Sequence, residues 1–204
     1  PLGETAGLVA AVVVLAGAVA LARWEAIRAG RPEAVAWALV GPIYATVPSL
    51  ALAAARAAPQ GLWLVLYLFA VVWATDIAAF FTGRALGGPK LWPAVSPKKT
   101  WSGALGGLAA AALAGVVVAS FAGAPRLGPV LLIGAVLSIA SQAGDLFESS
   151  LKRHFGVKDS GRIIPGHGGL LDRVDGLVAA ATAAAVVAAL NGGFGAANGG
   201  LLVW

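Results

Sequence analysis

Apolar runs of about 20 residues recur along this chain of 204, each long enough to cross roughly 30 Å of hydrocarbon as a helix. Six such runs cover residues 5–22, 34–55, 62–82, 103–122, 129–147 and 169–190. They are continuous in Ala, Val and Leu, whereas a membrane barrel alternates apolar and polar residues in segments of about 10. Backbone groups in lipid must be satisfied within the spanning segment, so helices are the elements expected. Hydrophobic residues make up 59% of the chain and charged residues 11%, against the roughly 45–50% apolar content of a soluble domain. The sequence therefore predicts an all-α, polytopic integral membrane protein with about six transmembrane helices.

Details of the runs refine this picture. The first has no basic segment before it and ends at Arg23-Trp24-Glu25, an aromatic beside charges, so it reads as a spanning helix and not as a signal peptide. The second contains Pro42 and Pro48, which predict kinks. The fourth is rich in Gly and Ala, which lets neighbouring helices approach closely. There is no cysteine, which excludes disulfides and thiolate chemistry, and no methionine even at position 1, so the natural N-terminus is expected to lie upstream. The expected division is N-terminal transmembrane helices in 1–60, a catalytic transmembrane domain in 61–190 with polar loops 83–102 and 149–168, and an interfacial tail in 191–204.

Alternating the six runs across the membrane sets the topology. Twelve of the fourteen Lys and Arg residues then fall on one side, and only Arg56 and Arg126 lie opposite. By the positive-inside rule the rich side is cytoplasmic. The net charge of +5 is thus a topology signal, and nucleic-acid binding is not expected. Asp76, Asp145, Glu148, Asp172 and Asp175 all fall near the same ends of the third, fifth and sixth runs, which predicts one shared polar pocket facing the cytoplasm.

Residues 149–175 hold eight of the twenty-three charged residues and both histidines, His154 and His167. So much charge beside hydrocarbon points to a site. Asp172 and Asp175 are three apart at a helix start, so both carboxylates project from one face. With Asp145 from another helix they offer the hard oxygen donors that suit magnesium, while nearby Lys and Arg suit phosphate oxygens. Metal and cations together are the equipment of phosphoryl transfer. The glycines of Pro165-Gly166-His167-Gly168-Gly169 permit close backbone approach just before a helix, where amide groups favour an anion.

The spacing Ser149, Lys152-Arg153, Lys158-Asp159, Pro165 to Gly169, Asp172-Arg173 and Asp175 resembles the signature of the phosphatidate cytidylyltransferases, also called CDP-diacylglycerol synthases. Asp76 to Phe80 with Gly83-Arg84, Ser96 to Gly103, and Ser141 to Ser149 are similar to further family segments, and the resemblance covers about residues 71–190. It implies transfer of CMP from CTP to phosphatidate, giving CDP-diacylglycerol and pyrophosphate in phospholipid biosynthesis, at the cytoplasmic face of the inner membrane. It also implies further N-terminal helices absent from this sequence, magnesium alone or with a second metal ion, and a homodimer.

Under this resemblance Asp145, Asp172 and Asp175 bind metal and, with Lys152, form the catalytic set; Asp76 is a metal ligand or a partner of one. Arg153, Lys158 and Arg173 contact substrate phosphates, as does Lys152. Ser96, Lys98 and Lys99 belong to a substrate loop, and His167 binds substrate or holds the loop by hydrogen bonds. Two alternatives stand beside this: CDP-archaeol synthesis on an ether lipid, and, from a different class, an ion-coupled secondary transporter. Against the transporter, the charges cluster at helix ends and not at the bilayer midplane.

Overall fold

A computed structural model of the chain describes residues 2–30, 34–161 and 168–194. All six apolar runs form helices: α1 (Leu2–Arg28), α2 (Ala34–Ala57), α3 (Gly61–Leu86), α4 (Trp101–Phe121), α5 (Leu127–His154) and α6 (Leu171–Leu190). Between α3 and α4 lies an addition to the all-α expectation, a hairpin of β1 (Lys90–Trp92) and β2 (Ser96–Thr100). It is antiparallel, with Lys90 opposite Thr100 and Trp92 opposite Ser96. Among the described residues, α3, α4, α5 and α6 are long and apolar enough to cross a membrane.

The chain divides into two compact units, residues 1–51 and 52–204. In the first, α2 continues without a break through Pro42 and Pro48, and the Arg28 guanidinium lies 5.0 Å from the centre of the Trp24 ring. A cation over an aromatic at a helix end suits the membrane–water boundary.

The second unit is held together by size complementarity, because hydrocarbon-facing helices gain no hydrophobic drive from lipid. Gly103, Gly107, Ala111, Gly115 and Ala119 are all buried and recur every four residues, forming one narrow stripe along α4. The α3 backbone lies directly on this stripe: a Cβ added at Gly107 would meet the Thr75 carbonyl oxygen at 2.7 Å, and one at Gly103 the Ala79 oxygen at 2.7 Å. Lower down, Gly115 of α4 and Gly134 of α5 leave room for the Tyr67 ring. Its hydroxyl donates to the Val130 carbonyl at 2.6 Å, so this large buried side chain is satisfied. A second buried polar contact joins α3 to α5, Thr75 Oγ1 to Ser138 Oγ at 2.8 Å.

Two boundaries differ from the sequence expectation, and both matter for the site. α5 has 28 residues, about 42 Å at 1.5 Å per residue, against roughly 30 Å of hydrocarbon. Its last turns therefore leave the apolar layer and hold Ser149 and Lys152 on helix, where a loop was expected to begin at residue 149; Asp145 and Glu148 lie on the same helix. Likewise, most of the expected loop 83–102 is structured by the end of α3 and the hairpin. Of the expected tail, residues 195–204 lie outside the described residues.

The stripe gives a direct test. Gly107→Ala should destabilise the fold by about 1–3 kcal/mol through overpacking against α3, while Gly128→Ala, with open space around its Cβ, should be close to neutral. Thermal unfolding in detergent compares the two, and equal stability would remove the close α3–α4 contact from this description.

Candidate active site

Glycines set the site up by bringing α5 and α6 together where the charges lie. A Cβ at Gly144 would meet the Asp175 carbonyl oxygen at 3.0 Å, and Gly176 packs on Ser141. On α5 the spacing 145, 148, 149, 152 places Asp145, Glu148, Ser149 and Lys152 along one face. On α6, Asp172 and Asp175 share a face for the same reason.

Lys152 is the centre of one cluster. Its Nζ lies 2.7 Å from Glu148 Oε2, one turn back on α5, and 2.7 Å from Asp172 Oδ1 at the start of α6. Asp172 is then cradled by the loop before it. Its Oδ2 accepts from the Ser160 amide at 2.8 Å, the Ser160 hydroxyl at 3.0 Å and the Gly169 amide at 2.8 Å, and its Oδ1 also from the Ser160 amide at 3.1 Å. Gly168 makes the cradle possible: its φ is +84°, and a Cβ there would stand 2.9 Å from Asp172 Oδ2. A carboxylate has about four acceptor positions, so those of Asp172 are taken.

Lys99 is the centre of the other cluster. Its ammonium pairs with Asp145 Oδ2, and the Ser149 hydroxyl reaches Asp145 Oδ1 at 3.4 Å. The hairpin delivers this lysine. Thr100 caps α4, its side-chain oxygen accepting from the Gly103 amide at 3.1 Å, and the Ser102 hydroxyl donates to the Gly87 carbonyl. The strand before that cap is thereby fixed against the ends of α3 and α4.

The carboxylates form a connected group. Asp145 lies close enough to Asp76 and to Asp175 for their charges to interact, as Glu148 does to Asp175. Glu148 is only 4% exposed, and its Oε1 is buried with no hydrogen-bond donor. Glu148 also stands within side-chain hydrogen-bond reach of Asp175, and a buried and a half-buried carboxylate side by side need a shared proton or a cation. The donor set of hard oxygens fits magnesium. No three Asp, Glu or His side chains among the described residues are already gathered around one point, because Asp145 and Asp172 are each turned to a lysine.

The structure thus brings Asp145, Asp172, Asp175, Lys152 and Lys99 to one end of the bundle, with Asp76 beside them. Ser96 is half-buried in the hairpin opposite Trp92. Lys98, Arg153 and Lys158 are exposed and form no ion pair with a described residue, and Arg173 is exposed on the first turn of α6. His167 lies outside the described residues. Glu148 was expected in the shared polar pocket but was given no role there, although its spacing from Asp145 and Lys152 was visible. Ser160 was missed, since a loop amide leaves no mark in a motif.

The sequence model of the family described as Cytidylyltransferase family matches residues 2–190. The phosphatidate cytidylyltransferase of Brucella suis biovar 1 is 59% identical over 146 residues, 71% of this chain and 54% of that protein. The phosphatidate cytidylyltransferase of Staphylococcus haemolyticus is 51% identical over 117 residues, 57% of this chain and 45% of that protein. The chain spans about half the length of the curated relatives it matches.

The two clusters differ in burial, which separates their expected roles in stability. Asp172→Ala leaves the Ser160 and Gly169 amides without their acceptor and Lys152 with Glu148 alone, and should cost about 2–4 kcal/mol. Asp145→Ala removes the partner of a lysine whose side chain is 29% exposed and should cost about 1 kcal/mol or less. Chemical or thermal unfolding in detergent orders them, and a reversed order would contradict the cradle.

Proposed function

This chain belongs to the Cytidylyltransferase family, and from that premise we propose that it acts as a phosphatidate cytidylyltransferase, joining CTP and phosphatidate to give CDP-diacylglycerol and pyrophosphate. The observation that carries the proposal is the gathering of two lysines, Lys99 and Lys152, with the carboxylates of Asp145, Glu148 and Asp172 at one end of the bundle. Cations and hard oxygens at one place are what two phosphate-bearing substrates require.

The phosphatidate phosphate is already ionised near neutral pH, so no strong base is needed. One of its oxygens bonds to the α-phosphorus of CTP, the bond from that phosphorus to the bridging oxygen breaks, and pyrophosphate leaves with the electron pair. The barrier is the repulsion between two anions, and the protein lowers it by positioned positive charge. Lys99 and Lys152 are the ammonium groups nearest the carboxylates and exchange these partners for phosphate oxygens. Asp172, held by Ser160 and Gly169, orients Lys152 while that exchange occurs. Arg153, Lys158 and Arg173 take the outer phosphates, His167 and Ser96 complete the substrate loop, and Lys98 stands beside it. Asp145, Asp175 and Glu148 would hold magnesium, with Asp76 behind them; taking Asp172 as a further ligand would require it to release Lys152 or its loop. Bound magnesium supplies neutralisation of the phosphate charge.

The site stands at the end of α5, beyond the apolar layer, which supports lipid-headgroup chemistry over midplane ion transport. Active-site exposure to the cytoplasm, an inner-membrane location and a homodimer complete the proposal and are carried by the charge asymmetry and the family resemblance. Incubation of the full-length protein with CTP labelled in its α-phosphate, magnesium and phosphatidate should yield a labelled lipid. No labelled lipid from either ester or ether phosphatidate would overturn the proposal, and activity on the ether lipid alone would favour CDP-archaeol synthesis. Lys99→Ala and Lys152→Ala should each lower kcat/KM by about a hundredfold or more; a wild-type rate in a folded variant removes that lysine from the mechanism.

A further inference from the structure

The hairpin between α3 and α4 has an outer side that the proposed reaction does not use. Its position is fixed: the Trp101 amide donates to the Pro89 carbonyl at 3.1 Å, and Ser102 ties the first turn of α4 to Gly87. Since α3 and α4 are spanning helices, the hairpin joining their ends stands at the membrane–water boundary. A register shift lies between the Lys90–Thr100 and Trp92–Ser96 pairs, so residues 97–99 of β2 do not simply alternate between faces. Lys99 is half-buried and paired with Asp145, whereas Lys98 is exposed.

The rest of this outer surface is of one kind. Trp92 is 48% exposed and Trp101 53% exposed, and Lys90 and Arg84 are exposed as well. Among the described residues no ion pair involves Arg84, Lys90 or Lys98. Tryptophan prefers the headgroup layer of a bilayer, and unpaired basic residues at that depth are attracted to anionic phospholipid, each by about 1 kcal/mol.

We propose that the outer face of the hairpin is a docking surface for anionic phospholipid headgroups, with Trp92 and Trp101 set in the interfacial layer and Lys90 and Lys98 on the lipid phosphates. The two adjacent lysines of β2 thereby serve different partners, Lys99 the acidic cluster and Lys98 the bilayer. This depends on α3 and α4 spanning the membrane and not on the proposed reaction.

The 204 residues contain no cysteine, so Ala94→Cys, in the exposed turn between the strands, can carry a single bimane fluorophore once any cysteine outside them is changed to serine. The labelled full-length protein is placed in nanodiscs of phosphatidylcholine and phosphatidylglycerol at equal mole fraction, with bromine on one lipid or on the other. Brominated phosphatidylglycerol should be enriched at the probe over brominated phosphatidylcholine by at least about fivefold at low salt, the equivalent of one basic residue at an anionic surface. The preference should decline with salt and vanish in Lys90→Gln/Lys98→Gln, whose side chains are both exposed. Equal quenching by the two lipids, or a preference unchanged in the double variant, would overturn the proposal. So would quenching by neither, which would place a protein partner or a second copy on this face. The readout needs no turnover, so its failure and a failure of cytidylyl transfer are distinguishable.

Discussion

One ammonium group holds two helices in register. Lys152 sits between Glu148 on its own helix and Asp172 on the next, both largely buried, where an unpaired charge would be costly. Removing either acid leaves Lys152 with the other alone, and removing the lysine leaves two carboxylates without their shared cation. Ser160 and Gly169 donate to the same Asp172 carboxylate, so α5, the start of α6 and these two residues before it meet at Asp172 and Lys152. Lys99 and Asp145 extend this to the hairpin and, through it, to the ends of α3 and α4.

Such an arrangement needs helices that approach more closely than large side chains allow. The glycines and alanines of α4 serve α3, and Gly144 and Gly176 serve the α5–α6 contact. The last pair lies beside Asp145 and Asp175, so backbone proximity and charge proximity have the same cause. The length of α5 then lifts the cluster beyond the apolar layer, where water-borne nucleotide and membrane-borne lipid can meet under the proposed function.

Much of this was legible from the residues. Six apolar runs gave six helices because continuous hydrocarbon has no other spanning solution, and the three-residue spacing of Asp172 and Asp175 gave their common face. What stayed hidden depends on three-dimensional partners. The helical state of residues 149–154 was obscured by their charge, which reads as loop until α5 is seen to outrun the bilayer. Lys98 and Lys99 read as one basic pair, and only the folded hairpin shows Lys99 paired with Asp145 while Lys98 stays exposed. Asp172 reads as a free carboxylate, and only the folded loop shows its acceptor positions filled by Ser160 and Gly169. Glu148 reads as a helix-end acid, and its buried, donorless oxygen is a property of packing.

The central claim is that Lys152 and Asp172 are energetically coupled across the α5–α6 contact. A double-mutant cycle of Lys152→Met and Asp172→Ala, read as unfolding free energy in detergent, measures that coupling directly. Coupling through the ion pair should give an interaction energy of about 1–3 kcal/mol, with the double variant markedly more stable than the sum of the single losses implies. Additive losses would contradict it.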